Sequence, residues 1–258
     1  YACTLSCRWC TNYSDYGMKG GYVKWDTIKP TLDKLFSRMR VDCFGFIGGE
    51  PFLNPELETD LKNLYGPFWD KTQEVRTNPN WYNQIGEDNW LPKSPQASAE
   101  WYNPIVQSKM FLLNDVTIWN PFNTEYFMWL DAGICNTVNS SYLIEHRALD
   151  KILPYLESFL FLSYPYEAQT EIHGYNFAEL KRFAKSDVKY VCRGGLFGGR
   201  KEIINQANSE YYNLLERSLN RELMGTEESI FTIMAHLFPE KYHRYALDDN
   251  GLIVKFIN

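Results

Sequence analysis

At 258 residues, with 45% hydrophobic and 22% charged residues, the chain has ordinary globular usage and length for one large core or two smaller ones. A net charge of −6, with no basic run interleaved with aromatics, argues against a protein that holds phosphate backbones, so nucleic acid is not an expected partner. No apolar run approaches the ~20 residues of a membrane helix, no signal peptide is visible, and the six cysteines do not form a secreted disulfide framework, so a cytoplasmic protein is expected.

The chain starts at Tyr1 directly on the loop Cys3-Thr-Leu-Ser-Cys7-Arg-Trp-Cys10. The strand that should lead into this loop is missing, so the sequence reads as N-terminally incomplete. A polar, glycine-bearing stretch follows, and residues 24–40 then read as a helix. Ile28, Leu32, Leu35, Phe36 and Met39 fall at helical spacing, and Asp26 can cap the start. A short strand over 43–47 ends on Gly48-Gly49-Glu50-Pro51. Loop, helix, strand and glycine turn make one unit of an α/β barrel or open sheet.

C-x3-C-x2-C with Trp9 before the last cysteine, joined to Gly48-Gly49-Glu50-Pro51 at the next strand end, resembles the radical SAM enzymes. The resemblance implies a [4Fe-4S] cluster on Cys3, Cys7 and Cys10. Three thiolates leave one iron open for S-adenosylmethionine, which Gly48, Gly49, Glu50 and Trp9 would contact. A zinc knuckle or three ordinary thiols are the competing readings, but zinc usually takes four ligands in paired spacing and no fourth follows nearby. The resemblance covers residues 1–57, a truncated βα piece of that family's barrel.

Residues 56–100 change character: Pro67, Pro79, Pro92 and Pro95 arrive with Asn, Trp and Tyr, and apolar periodicity weakens. A linker or irregular region is expected here. The domain boundary is placed near residue 65, giving units 1–65 and 66–258.

From residue 103 the pattern is regular. Asn103-Pro104 reads as an N-cap and first helical residue of a helix to about Asn114. A strand is expected over 125–130, ending on Asp131-Ala132-Gly133. A helix over 146–159, a strand over 160–164 and a helix over 176–185 follow. A strand over 188–192 then runs into a loop, Arg193-Gly-Gly-Leu-Phe-Gly-Gly199. A long helix comes next, with Ile203, Ile204, Ala207, Tyr211, Leu214, Leu215 and Leu219 on one side. A helix over 227–238 and a closing strand over 252–257 complete the series. Strands alternating with helices predict an α/β fold with a parallel or mixed sheet.

Ligands gather at the carboxyl ends of strands in such folds, and two motifs sit there. Asp131 suits a divalent cation, Mg²⁺ or Mn²⁺, on a diphosphate. In Arg193-Gly-Gly-Leu-Phe-Gly-Gly199 the arginine could meet phosphate, and Gly194, Gly195, Gly198 and Gly199 would let a substrate lie against backbone. The run is neither a P-loop nor a dinucleotide fingerprint. Glu227 and Glu228 stand at a helix N-terminus, which favours their anions. An anionic glutamate can take a hydroxyl proton or brace an oxocarbenium charge. Lys109 and Asp115 are candidate nucleotide contacts. His173, His236 and His243 read as structural, with one of the latter two open as a late metal ligand.

Tyr102-Asn-Pro-Ile-Val-Gln-Ser-Lys109, Trp129-Leu-Asp-Ala-Gly133, Glu171-Ile-His-Gly174, Arg193 to Gly199 and Gly225-Thr-Glu-Glu-Ser-Ile-Phe231 resemble the HtrL/YibB family of bacterial and viral glycosyltransferases, from about Arg76 to the C-terminus. The order of an acidic strand end, Gly-Gly-x-Phe-Gly-Gly and an acidic pair before Ser is similar to the histo-blood-group glycosyltransferases of GT-A fold. Those carry Asp-x-Asp, and Asp131-Ala132-Gly133 lacks the second carboxylate. The resemblance implies Glu228 at the catalytic or acceptor-contacting glutamate and Glu227 at an acceptor-binding acid. The expected protein is a GT-A-like glycosyltransferase using a nucleotide sugar, a hydroxyl acceptor and Mn²⁺ or Mg²⁺. The alternatives are a radical SAM enzyme and a binding module that keeps the sugar site without turnover.

Overall fold

The fold is described from a computed structural model, over residue 30 and residues 55–84, 90–131, 152–166 and 171–247. Cys3, Cys7, Trp9, Cys10, Gly48, Gly49 and Glu50 lie outside the described residues. So do the expected 24–40 helix, residue 30 apart, and the expected strands over 43–47 and 252–257.

Residues 55–77 are one helix, α1 (Pro55–Thr77), which passes through residue 65 with Pro67 inside it. The expected linker is therefore helical at this point. Beneath its Pro, Asn and Trp content, Tyr65, Phe68, Trp69, Thr72 and Val75 keep helical spacing, and all five are buried. Two one-turn helices follow, α2 (Pro79–Tyr82) and α3 (Pro95–Ser98), each opened by proline at its first position.

The next helix, α4 (Tyr102–Trp119), is longer than expected and is not capped by Asn103. Asn103 lies inside it, fully buried, with its amide donating to the Gln96 carbonyl at 2.8 Å. Asn120, left-handed at φ 39°, stops the helix, a conformation asparagine tolerates better than most residues.

Four strands form a mixed sheet in the order β1 (Tyr126–Leu130), β5 (Tyr190–Arg200), β2 (Phe159–Pro165) and β6 (Tyr242–Ala246). The β1–β5 and β5–β2 pairs are antiparallel, and β2–β6 is parallel. Side chains alternate across a strand, and β2 is buried on both faces. Phe159 and Phe161 enter the main core with Phe197, Tyr211 and Phe231, while Leu160 and Leu162 join Ile152, Leu156, Leu196 and Leu247 on the other side. A hairpin of β3 (Glu171–Ile172) and β4 (Tyr175–Asn176) leads into α5 (Phe177–Ala184), which Asn176 caps through the Glu179 amide. The amphipathic α6 (Lys201–Leu219) and α7 (Glu227–Leu237) lie where their periodicity predicts.

One further expectation is corrected, and one strand was not anticipated. In the described part of the 146–159 helix, Leu153–Tyr155 is a single 3₁₀ turn and Phe159 already belongs to β2; Pro154 has no amide to continue a helix. The polar Tyr-His-Arg-Tyr-Ala segment forms β6, a strand that its composition hides.

The largest correction concerns Arg193 to Gly199, which is not a loop but the body of β5. Gly199 pairs with Phe127, Gly198 with Met128 and Phe197 with Trp129 on one side, while Gly198 and Phe197 face Leu160 and Phe161 on the other. The glycines allow neighbouring strands to close in. A Cβ on Gly198 would lie closer than 3.0 Å to the Phe127 carbonyl oxygen and the Met128 Cα. Backbone atoms in a ladder cannot step aside, so Gly198→Ala is expected to destabilise by about 1–3 kcal/mol. Urea unfolding measures this, and a midpoint equal to the parent's would contradict the packing described.

Between Phe161 and Ser163 the register breaks: β2 advances two residues while β5 runs from Phe197 to Cys192. Arg193, Gly194 and Gly195 thus leave the β2 ladder in mid-sheet. Bulges of this kind free backbone groups for other work.

Candidate functional site

The freed backbone of Gly194 and Gly195 organises a cluster of charged side chains from four elements. α4 supplies Lys109, the end of β1 supplies Asp131, the first turn of α7 supplies Glu227 and Glu228, and the β3–β4 turn supplies His173.

The start of α7 is set from below. Gln107, buried on α4, donates to the Gly225 carbonyl at 2.6 Å and accepts from the Tyr65 hydroxyl, while its own carbonyl accepts from Tyr211 at 3.0 Å. Gly225 is thereby tied to α1, α4 and α6 immediately before the acidic pair.

The Lys109 ammonium lies 2.7 Å from Glu227 Oε1, 2.9 Å from Asp131 Oδ2 and 3.3 Å from the Gly194 carbonyl oxygen. An ammonium has three hydrogens, and here each has an acceptor. Burial alone would lower the lysine's pKa, but the two carboxylates outweigh it and hold the pKa above its ordinary value. Asp131 is braced again by the Trp129 indole, which donates to Oδ1 at 2.7 Å, and its amide donates to Gly195 O at 2.9 Å.

The two adjacent glutamates are in opposite situations. Glu227 is 3% exposed and lies against Gly194, where any Cβ would meet its carboxylate. Burial pushes its pKa up to about 7, against the pull of Lys109. Glu228 feels burial as well, but it is held below the ordinary glutamate value. The His173 ring, with Nε2 2.7 Å from Oε2, the Gly194 amide donating to Oε1 at 2.7 Å, and the Arg193 charge together outweigh the desolvation.

His173 reaches Glu228 from a two-residue hairpin turn. His173 and Gly174 have φ of 48° and 86°, the positive values that a type I′ turn needs at both positions. The Gly174 carbonyl anchors the turn, accepting from the Trp81 indole at 3.0 Å and the Gln84 amide at 2.6 Å. Arg193 stacks its guanidinium 4.5 Å over the Tyr164 ring, and its charge helps hold the Glu228 pKa down.

Of the residues predicted from sequence, Lys109, Asp131, Gly194, Gly195, Glu227 and Glu228 come together, with Arg193 beside them. Gly198 and Gly199 do not; they lie farther along β5 inside the ladder. Asp115 is on the exposed side of α4. His236 and His243 lie elsewhere. His236 lines a surface cavity of about 680 Å³ with Tyr190 and Arg244 that shares no lining residue with the cluster. Sequence reasoning missed Trp129 and His173 as partners. Trp129 precedes Asp131 by two residues and so shares its face of the strand, a signal that was readable. His173 needed the hairpin to bring it to Glu228.

The arrangement is a partly buried anionic centre, open at Asp131, His173 and Glu228, whose side chains are 37%, 29% and 15% exposed. Among the described residues no group of three or more His, Cys, Asp and Glu is placed to hold a metal ion, and no helix is long and apolar enough to cross a membrane. Compared with known families, residues 64–249 match one described as "Bacterial protein of unknown function (HtrL_YibB)". Comparison with curated proteins and with solved structures returned no match.

Proposed function

We propose that the chain, which belongs to the HtrL_YibB family over residues 64–249, is a glycosyltransferase moving a sugar from a nucleotide-sugar donor to a hydroxyl acceptor. In this reading the sheet is a GT-A-like core and the cluster around Glu228 is the reacting centre. The observation that carries the reading is the placement of two neighbouring glutamates, Glu227 buried on the Lys109 ammonium at 2.7 Å and Glu228 on the Gly194 amide at 2.7 Å beside the opening, an arrangement that raises the pKa of the first and lowers that of the second. Glycosyl transfer passes through an oxocarbenium-like state, and a carboxylate that stays ionised stabilises that positive charge throughout. Glu228 has this property and reaches the surface of the site. Glu227, beneath it, fixes Lys109 and through it Asp131. Arg193 offers a cation to the departing diphosphate.

Mg²⁺ or Mn²⁺ fits these residues poorly. Asp131 is the one metal-type ligand of its motif, and an ammonium already lies 2.9 Å from its Oδ2. Hard divalent cations want several oxygen ligands, and this motif offers one that is already paired with a cation. Radical chemistry at Cys3, Cys7 and Cys10 is tested separately, by iron and sulfide content after anaerobic reconstitution.

A panel of nucleotide sugars, followed by nucleotide release with and without Mn²⁺, tests the transferase reading. At least one donor should be turned over. Binding of a donor without turnover would favour a non-catalytic sugar module, and neither binding nor turnover across the panel would sink the reading.

A further inference from the structure

We infer that the cavity beside His236 is a second ligand site, which takes a small oxyanion: a phosphate or a carboxylate on a compact organic body. The inference goes beyond the sugar-transfer reading and does not depend on it.

The cavity, about 680 Å³, has the size of a small-molecule site. It forms where the end of β2, the start of β5, β6 and the last turn of α7 meet. Pro165, Pro239 and Ala246 give it apolar walls, and Lys189 and Arg244 give it charge.

Arg244 is held in place without being neutralised. Its guanidinium lies 4.2 Å over the Tyr190 ring, and Nη1 donates to the Ser163 hydroxyl at 3.1 Å. A guanidinium fixed by its face and one nitrogen keeps its other N–H donors for a ligand. Among the described residues no carboxylate pairs with Arg244 or with Lys189. Asp187, the carboxylate of the described lining, lies 3.4 Å from Lys181 instead.

The other titratable groups of the lining do not cancel this charge. Burial pushes the Tyr190 pKa up to about 12, and its hydroxyl donates to the Ala235 carbonyl at 3.3 Å. His236 stacks on Tyr190, ring centroids 4.0 Å apart. Its Nδ1 is 2.8 Å from the Thr232 carbonyl oxygen, which only accepts, so Nδ1 carries the proton. Nε2 is buried without a hydrogen-bond partner, and burial with the Arg244 charge holds the ring's pKa below its ordinary value. The ring is therefore neutral at pH 7, and two cations without a counter-ion line a concave, partly apolar site. An oxyanion supplies the charge they lack. It also changes His236: once the Arg244 charge is offset, the ring protonates more readily and its pKa rises.

Ring ¹⁵N–¹H spectra of the whole chain test this. The probes are inorganic phosphate, glucose 6-phosphate, gluconate and uncharged glucose, at constant ionic strength. At least one oxyanion should move the His236 signals saturably and raise its pKa, leaving His173 unmoved, and glucose should do neither. A response to the two phosphates alone assigns the site to phosphate, a response to gluconate alone to carboxylate, and a response to both to their shared charge. Lys189→Gln alters an exposed side chain with no ion-pair partner among the described residues and should fold like the parent. It and Arg244→Gln should each weaken binding about tenfold or more, the loss of one charge-assisted contact. No saturable shift with any oxyanion, an equal response to glucose, a shift confined to His173, or parent-like affinity in either variant overturns the site.

Discussion

Replacing Lys109 by methionine should lower stability by about 3–5 kcal/mol at neutral pH, the range for removing one partner of a buried ion pair. Methionine fills most of the volume of the lysine stem, so the loss is electrostatic. Glu227, 3% exposed, would be left without its cation, and Asp131 would lose one of two donors. The dependence on pH follows from linkage. The folded-state pKa of Glu227 is raised to about 7 from an ordinary 4.5, so between these values the folded chain holds a proton that the unfolded chain has released. Stability from this group therefore falls as pH rises through that window. Glu228 has the opposite sign: its contribution is present above the ordinary value and is lost as acid protonates it. Without Lys109, the Glu227 window moves upward. The deficit of Lys109→Met should thus be smaller at about pH 5.5 than at about pH 8. Urea unfolding at both values measures it. Adding Glu227→Leu should restore much of the loss, because replacing both members of a buried pair is often neutral. A deficit independent of pH, or no recovery in the double variant, would contradict the assignment of Lys109 as the counter-ion.

Glu228→Gln should leave the fold nearly intact and slow turnover about 10²–10³-fold, the usual effect of removing one preorganised charge-stabilising group. Glutamine keeps an oxygen for the Gly194 amide and nearly the same volume, so only the negative charge is lost. The effect should fall on kcat rather than KM, since the charge matters when the anomeric carbon becomes cationic. Glu227→Gln provides the contrast. Its carboxylate lies beneath the reacting surface on Lys109, so its effect should appear first in stability. Rates for Glu228→Gln within a few-fold of the parent, at matched folding, would remove Glu228 from the reacting centre.

The sequence and the structure agree most where periodicity is strong. Helices α5, α6 and α7 and strands β1 and β2 fall where their apolar residues predict, because each buries one regular face or alternates across a sheet. Agreement is poorest where composition misleads. The Pro, Asn and Trp of α1 hide a helical stripe from Tyr65 to Val75, and the polar β6 hides a strand. The glycines of β5 suggest a loop because glycine is rare within strands, yet here close approach of Phe127 and Met128 requires it. At the site, Asp131, Glu227 and Glu228 were legible as acids at strand and helix ends. Their sorting into a protonatable and a persistently ionised glutamate was not, since it depends on Lys109 arriving from α4 and His173 from the hairpin. Long-range partners leave no mark in local spacing.

The most direct measurement is a carboxyl ¹³C titration of glutamate-labelled protein. One glutamate should titrate near 7, far from the ordinary 4.5, and its signal should vanish in Glu227→Gln, while Glu228 should remain ionised below its ordinary value. If both glutamates instead titrate together in the ordinary range, the opposed pair at the centre of this account does not exist.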